Sequence, residues 1–208
     1  MKYAQDVREV LIANTIRLIS EGGFEKATTK AIVHSGEAIE AVKMNEVYIY
    51  RLFGSKEKLY EVAFESLDNE LVKALSACVR SVGSFENCKK DTLYEVFIRT
   101  WRFLLKNEAR CRCYVRYYYS VYFRGNSLAC HRKLFSDIVE AFDPLFKEEA
   151  DVEAIMHSVL TTMLDFAIRV YNGDLKDDDI NTPHIFNVVF CMMMTYFKDE
   201  VLEGMKTA

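Results

Sequence analysis

Few side chains in this sequence have types and spacings that could do chemistry, and each has an ordinary reading beside the reactive one. Glu153 and His157 stand four residues apart, one helical turn, which suits an acid–base pair and equally suits a surface pair. Cys111, Cys113 and the adjacent Cys130 and His131 are soft metal ligands, yet no two cysteines form a C-x-x-C pair and the spacing fits no familiar zinc pattern. Three readings of the six cysteines stay open: buried or idle thiols, redox-sensing thiols, or ligands. There is no glycine-rich phosphate loop, no H-E-x-x-H and no G-x-S-x-G. The sequence therefore predicts no catalytic centre, no metal and no cofactor.

A binding chemistry is better supported. Residues 99–133 carry nine basic side chains against one acidic, together with a dense set of rings from Trp101 to Phe123. Arg112 and Arg116 lie one turn apart, as do Tyr118 and Tyr122, so guanidinium groups and rings can share a helix. One reading is an effector pocket formed by Trp101, Arg112, Tyr114, Arg116, Tyr118 and Tyr122, for an apolar or anionic small molecule. The other is a core of aromatic side chains whose arginines pair with residues 134–208, where fifteen acidic residues face five basic ones.

A second candidate lies between residues 45 and 60. Ile49, Leu52 and Phe53 fall at i, i+3 and i+4, the buried face of a short helix, which leaves Val47, Tyr48 and Arg51 pointing outward near its start. Asn45 is suited to cap that helix. Buried apolar residues toward the end and projecting side chains at the beginning describe the recognition element of a helix-turn-helix. Gly54-Ser55-Lys56 then opens another helix whose first amides, with the lysine, suit a phosphate.

The segments Gly22–Ile32 (GGFEKATTKAI) and Asn45–Tyr60 (NEVYIYRLFGSKEKLY) resemble the head of the tetracycline-repressor-type (TetR) transcriptional regulators. That head has a Gly-Phe and Thr-Thr entry into helix two, a Tyr-x-x-Phe recognition helix and a Ser-Lys-Glu turn. The resemblance covers about the first sixty residues. It implies that Thr28 and Thr29 seat helix two on the DNA backbone, that Asn45, Tyr50 and Lys56 contact phosphates, and that Val47, Tyr48 and Arg51 face base edges. Arg51 is the residue suited to guanine, since its fork matches the O6 and N7 acceptors. Tyr50 packing against helix one and Lys56 as a solvated charge are the structural alternatives. The chain departs from the family in two places. About six extra residues fall around His34 to Ile39, and the turn usually reading Ala-Gly-Val is here Val42-Lys43-Met44. Lys43, at a position favouring positive φ, would carry strain of about 1 kcal/mol that a phosphate contact could offset.

The elements that must position these residues read as helices throughout. Expected spans are 6–21, a second helix capped by Thr28, a third over 45–53, a fourth from Ser55 to about Val82, then 89–107, 109–123, 127–142, 144–172 with a break near Ala150-Asp151, and 183–203. The acidic run Asp174–Asp179 reads as a linker. The expected fold class is all-α: a three-helix head over residues 1–54, and a ligand-binding and dimerising body over 55–208. In the C-terminal helices, Val159, Met163 and Phe166 form one apolar stripe and Phe186, Val189, Phe190, Met193 and Phe197 another, while Ile185, Val188, Met192 and Tyr196 cover a second side. The resemblance implies that these two helices build a four-helix interface with a second copy.

At 208 residues, half of them hydrophobic and 28% charged, the chain has the composition of an ordinary folded protein. Its longest apolar run, Ile185–Phe197, is too short to span a bilayer, and the first residues lack the apolar stretch of a signal peptide, so no membrane partner and a cytoplasmic location are expected. The net charge of -4 gives no basic signature of nucleic-acid binding, so that reading rests on pattern. The functional expectation is a homodimeric regulator that represses at operator DNA until a small effector releases it. The alternative is a helical ligand-binding protein whose inserted head no longer reads DNA.

Overall fold

The computed structural model describes residues 2–35, 44–83, 85 and 88–206. Lys43 and the part of the extra segment from Gly36 onward lie outside the described residues. Every regular element among them is helical: α1 Lys2–Lys26, α2 Thr29–His34, α3 Val47–Phe53, α4 Lys56–Val82, α5 Lys90–Lys106, α6 Glu108–Tyr118, α7 Asn126–Phe142, α8 Val152–Tyr171, α9 Asn181–Met194 and α10 Asp199–Lys206. The class is all-α. No helix among the described residues is long and apolar enough to cross a membrane, and no group of three potential metal ligands comes together.

Local chemistry explains most boundaries. Thr28 Oγ1 accepts from the Ala31 amide at 3.1 Å, Ser55 Oγ from Lys58 N at 3.0 Å and Asp151 Oδ1 from Ala154 N at 3.0 Å. Each thus satisfies an amide of a first helical turn that has no partner within its own helix. Gly23, at φ 75°, kinks α1 near its end, and Gly54, at φ 83°, closes α3 with its amide on the Tyr50 carbonyl. Both need the left-handed backbone that glycine adopts without strain.

The break expected near Ala150-Asp151 is present, a second one interrupts the helix expected over 183–203, and the two share one reason. A 3-10 turn occupies Asp143–Leu145, the chain then passes through a turn at Glu148-Glu149 before α8, and α9 stops at Met194 with α10 starting only at Asp199. Phe146 and Phe197 form an isolated antiparallel bridge, Lys147 N donates to Tyr196 O at 2.9 Å and Lys198 N to Leu145 O at 3.0 Å. Both phenylalanines are buried, with ring centroids 5.1 Å apart. Pairing two segments fifty residues apart buries two rings that continuous helices would carry elsewhere. At the start of α9 the cap is Asp178, whose Oδ1 accepts from the amides of Ile180 and Asn181. Thr182, in the first turn of α9, donates to Asp177 Oδ1 at 2.8 Å.

The chain divides into two compact units, residues 1–70 with 109–131 and residues 71–108 with 132–208. The boundary falls inside α4 and again inside α7. In the first unit α1, α2, α3, the opening of α4, and α6 pack around Leu11, Ile19, Ile32, Ile49 and Phe64. Phe64 stacks on Tyr117 at 4.4 Å, and Tyr60 donates to the Ala27 carbonyl at 2.6 Å, tying α4 to the entry of α2. Burial, helped by Tyr122 and Glu57, raises the Tyr60 phenol well above its usual value. In the second unit α5, α8 and α9 pack through Leu93, Phe97, Leu160, Met163, Ile185 and Phe186.

Burial also sets the thiol chemistry. Cys88 and Cys113 are both buried, which pushes each up to about 12. A raised folded value means their contribution to stability is complete below the unfolded thiol value, near 9, and declines as pH rises from there toward 12. Iodoacetamide at pH 8 is expected to leave both cysteines unlabelled in the native protein and to label both in denaturant, read by peptide mass spectrometry. Rapid native labelling of Cys113 would contradict the packing around it.

Candidate functional site

The head is built by packing α3 across α1 and α2. Ile49 and Phe53 are buried, and Asn14 Nδ2 donates to Ile32 O at 2.9 Å from inside the core, satisfying a carbonyl near the end of α2. Arg8 holds the far end of α3: its Nη1 donates to Leu52 O at 3.2 Å and its guanidinium lies 4.6 Å from the Phe53 ring centroid. A cation there also faces the negative end of the helix dipole. At the near end Asn45 Oδ1 accepts from Val47 N at 3.1 Å, a local turn that starts the helix.

With that frame fixed, the outward face follows. Val47 is 64% and Tyr50 54% exposed, and Arg51 is exposed while Tyr48 is half-buried. Arg51 lies over the Tyr48 ring with its guanidinium carbon 5.4 Å from the centroid, and among the described residues it makes no ion pair. The exposure of Tyr50 leaves it turned outward, not packed on α1 as the structural alternative had it. Lys56, partly buried, places its Nζ 5.6 Å from the Tyr60 ring centroid, so its stem is steered while its ammonium stays available. Thr28 accepts from Ala31 N and keeps its hydroxyl proton for another partner. Val47, Tyr48, Tyr50 and Arg51 thus share α3, with Asn45 at its entry, Lys56 opening α4, and Thr28 and Thr29 at the entry of α2.

One residue here escaped sequence reasoning. Glu46 is exposed immediately before α3, and Thr29 Oγ1 donates to its Oε2, so the hydroxyl proton of Thr29 goes to a carboxylate. A carboxylate among side chains expected to face phosphates would repel a DNA backbone, whereas it could accept from the exocyclic amine of cytosine. Glu46→Gln is expected to tighten binding to unrelated duplex about two- to fivefold at low salt, an effect that shrinks as salt rises. Unchanged binding in a salt titration would place Glu46 away from the DNA.

The residues of the second expected site fall in both units. Trp101 lies in the second unit, where its Nε1 donates to Asp177 Oδ1 at 2.9 Å and its ring stacks on Phe97. Arg112, Tyr114, Arg116, Tyr118 and Tyr122 lie in the first unit. There Tyr114 is buried against Phe64, Tyr122 packs on Phe24 at 4.7 Å and Tyr118 on Phe123 at 4.4 Å, so the rings serve as core. Arg116 Nη1 donates to Ile19 O at 2.8 Å, closing the carbonyl end of α1 just before the Gly23 kink.

An open space lies instead within the second unit. Sixteen residues from α4, α5, α7, α8 and α9 wall a cavity with about 650 Å³ of empty space, its open mouth included. Val79, Phe97, Thr100, Phe142, Met163 and Met193 represent the five helices. No charged side chain is among the sixteen. Nothing in the sequence marks it, because its walls are the inward faces of ordinary amphipathic helices.

The apolar stripes expected at a subunit interface are placed differently from that expectation. Val159, Met163, Phe186, Val189, Phe190, Met193 and Phe197 are buried within the chain's own core, and only Phe166 is partly exposed. The first two and Phe186, Val189 and Met193 line the cavity. Because α9 is apolar nearly all round, periodicity could not choose which stripe turns inward. Val188 at 45% and Met194 at 39%, on another side of α9, are the apolar residues left outward.

No protein-family model matches the chain. One curated protein, the nucleoid occlusion factor SlmA of Haemophilus ducreyi, is 34% identical over 92 residues, which span 44% of this chain and 41% of that protein. Among solved structures, a TetR-family transcription regulator from Marinobacter aquaeolei VT8 superposes over 92% of this chain and 98% of its own at a TM-score of 0.73 and 15% identity. A TetR-family regulator from Shewanella sp. PV-4 gives 0.71 over the same shares, also at 15% identity. The fatty acid degradation regulator FadR of Bacillus halodurans gives 0.60 at 12% identity, covering 87% of this chain and 96% of its own. The resemblance carried by Gly22–Ile32 and Asn45–Tyr60 therefore extends to the whole fold, and the chain has the fold of the TetR-family transcription regulators.

Proposed function

We propose that the chain is a homodimeric transcription regulator that binds operator DNA through α3 and is released by a small molecule held in the cavity of the second unit. The observation that carries this is the recognition helix itself. Its apolar side is buried, its start is capped by Asn45 and its end held by Arg8, while Val47, Tyr50 and Arg51 project into solvent. A short helix presenting side chains near its start matches the way helix-turn-helix proteins enter the major groove. The head, residues 1–54, supplies recognition, and residues 55–208 supply the effector site and the pairing surface. The helix α4 carries Lys56 at one end and Leu75 and Val79 of the cavity wall further along, so a ligand that shifts α4 also shifts a residue proposed to hold phosphate. Pairing uses the outward face of α9 around Val188 and Met194 with the neighbouring face of α8.

Fluorescence-anisotropy titration with duplex fragments from the protein's own upstream region tests the reading. The expected result is tight, salt-sensitive binding to one fragment, by a species that sedimentation equilibrium shows to be a dimer. Val188→Glu should yield monomers with much weaker operator binding, since one head then reads a single half-site. Weak, sequence-blind binding to every fragment would leave a helical ligand-binding protein.

A further inference from the structure

We propose that the cavity takes an uncharged, hydrocarbon-rich small molecule bearing a single hydrogen-bonding group, a hydroxyl or carbonyl, that Thr100 reads. This rests on the reading of the cavity as the effector site and adds the chemistry of what fills it. Its walls are the aliphatic, aromatic and thioether side chains of five helices, with Thr100 the one hydroxyl among them. Thr100 is 3% exposed. Its hydroxyl is the polar group that a ligand oxygen in the cavity would meet, and a hydrogen bond there would offset the hydration that oxygen loses.

An ionised ligand fits poorly. A carboxylate or ammonium placed in the cavity would lose its hydration with no opposite charge in the wall to replace it. Lys90 approaches the aromatic wall from outside: its Nζ is 5.8 Å from the Phe186 ring centroid and 4.8 Å from that of Phe190, and it donates to Asn187 Oδ1. It does not line the cavity. The arginine-rich segment that would suit an anion lies in the other unit, with Arg116 committed to the Ile19 carbonyl. Met156, Met163 and Met193 let the space reshape: unbranched thioethers change rotamer at low cost, so a ligand larger than the enclosed volume can be admitted by repacking.

The test uses the purified full chain without DNA and the uncharged fluorophore N-phenyl-1-naphthylamine, displaced by 1-decanol or by decanoate at pH 8. The fluorophore should bind and brighten, and decanol should displace it at least tenfold more effectively than decanoate. Thr100→Val, nearly isosteric, should weaken decanol about three- to tenfold, measured relative to the fluorophore's affinity for the same variant. Val159→Phe, filling the cavity, should abolish fluorophore binding in protein whose helical circular dichroism is intact; if it does not fold, Thr100→Val carries the localisation. Decanoate displacing as well as decanol, no fluorophore binding, or decanol binding indifferent to Thr100→Val would each overturn the proposal. Repeating the titration with operator duplex separates the two readings. Ligand that binds as described yet leaves DNA affinity unchanged removes the release mechanism and leaves the ligand chemistry standing.

Discussion

Arg51→Ala is expected to lower affinity for the operator about 10- to 100-fold while lowering affinity for unrelated duplex only a few-fold. A guanidinium fork on the O6 and N7 of guanine contributes roughly 1–3 kcal/mol of discrimination. The structure gives Arg51 what that contact needs. It is exposed on α3, it makes no ion pair among the described residues, and the Tyr48 ring beneath it at 5.4 Å limits the rotamers it must give up on binding. Two companion variants fix the interpretation. Arg51→Lys keeps the charge and loses the fork, so it should fall close to alanine in discrimination but not in salt dependence. Lys56→Ala should weaken all duplexes alike and flatten the salt slope by about one, the signature of a phosphate contact. Equal losses on operator and unrelated DNA for Arg51→Ala would remove this residue from base reading and leave Val47 and Tyr48 as the specificity candidates.

The parts of this molecule legible in the sequence are those decided within a turn or two of chain. Thr28 and Ser55 cap helices because their oxygens reach amides three residues on. The i, i+3, i+4 set Ile49, Leu52 and Phe53 fixed which way Val47 and Arg51 point before any contact was known. The break near Ala150-Asp151 was legible, but the one at 195–198 was not, because it follows from Phe146 meeting Phe197 across fifty residues. The inward side of α9 was illegible for a different reason. Apolar residues on both sides give a period without a direction, and the choice belongs to α5 and α8, which pack against it. The ring-rich segment 99–133 could be read as pocket or as core from composition alone. Its division between two compact units, with Trp101 bonded to Asp177 and Tyr122 packed on Phe24, is a property of topology.

The largest stability effect is expected at a pair that no sequence pattern marks. Asp68 of α4 and His131 of α7 are 1% and 4% exposed, and the imidazole Nδ1 lies 3.0 Å and 3.1 Å from the two carboxylate oxygens. The rings of Tyr118 and Phe123 meet the imidazole edge-on at 6.0 Å and 5.7 Å, keeping water away. Tyr114 of α6 is raised well above the ordinary phenol value by burial, with the Asp68 carboxylate adding to it, so three helices of the first unit converge on one buried negative charge. Removing one member of such a pair costs roughly 3–5 kcal/mol, because the remaining charge keeps its desolvation penalty; replacing both by apolar residues costs far less. His131→Leu is therefore expected to lower the unfolding free energy by about that amount in urea titrations, and Asp68→Leu/His131→Leu to recover most of it. The double variant is the informative one. If it is as unstable as the single, the loss comes from repacking and not from the stranded carboxylate. If it recovers, the pair adds little net stability and serves to fix how α4, α6 and α7 meet, in the unit that also carries α3, the helix proposed to read DNA. Operator affinity of the double variant then reads that second role directly. A stable protein with weakened DNA binding would mean that the geometry of the head depends on a carboxylate–imidazole contact buried outside it.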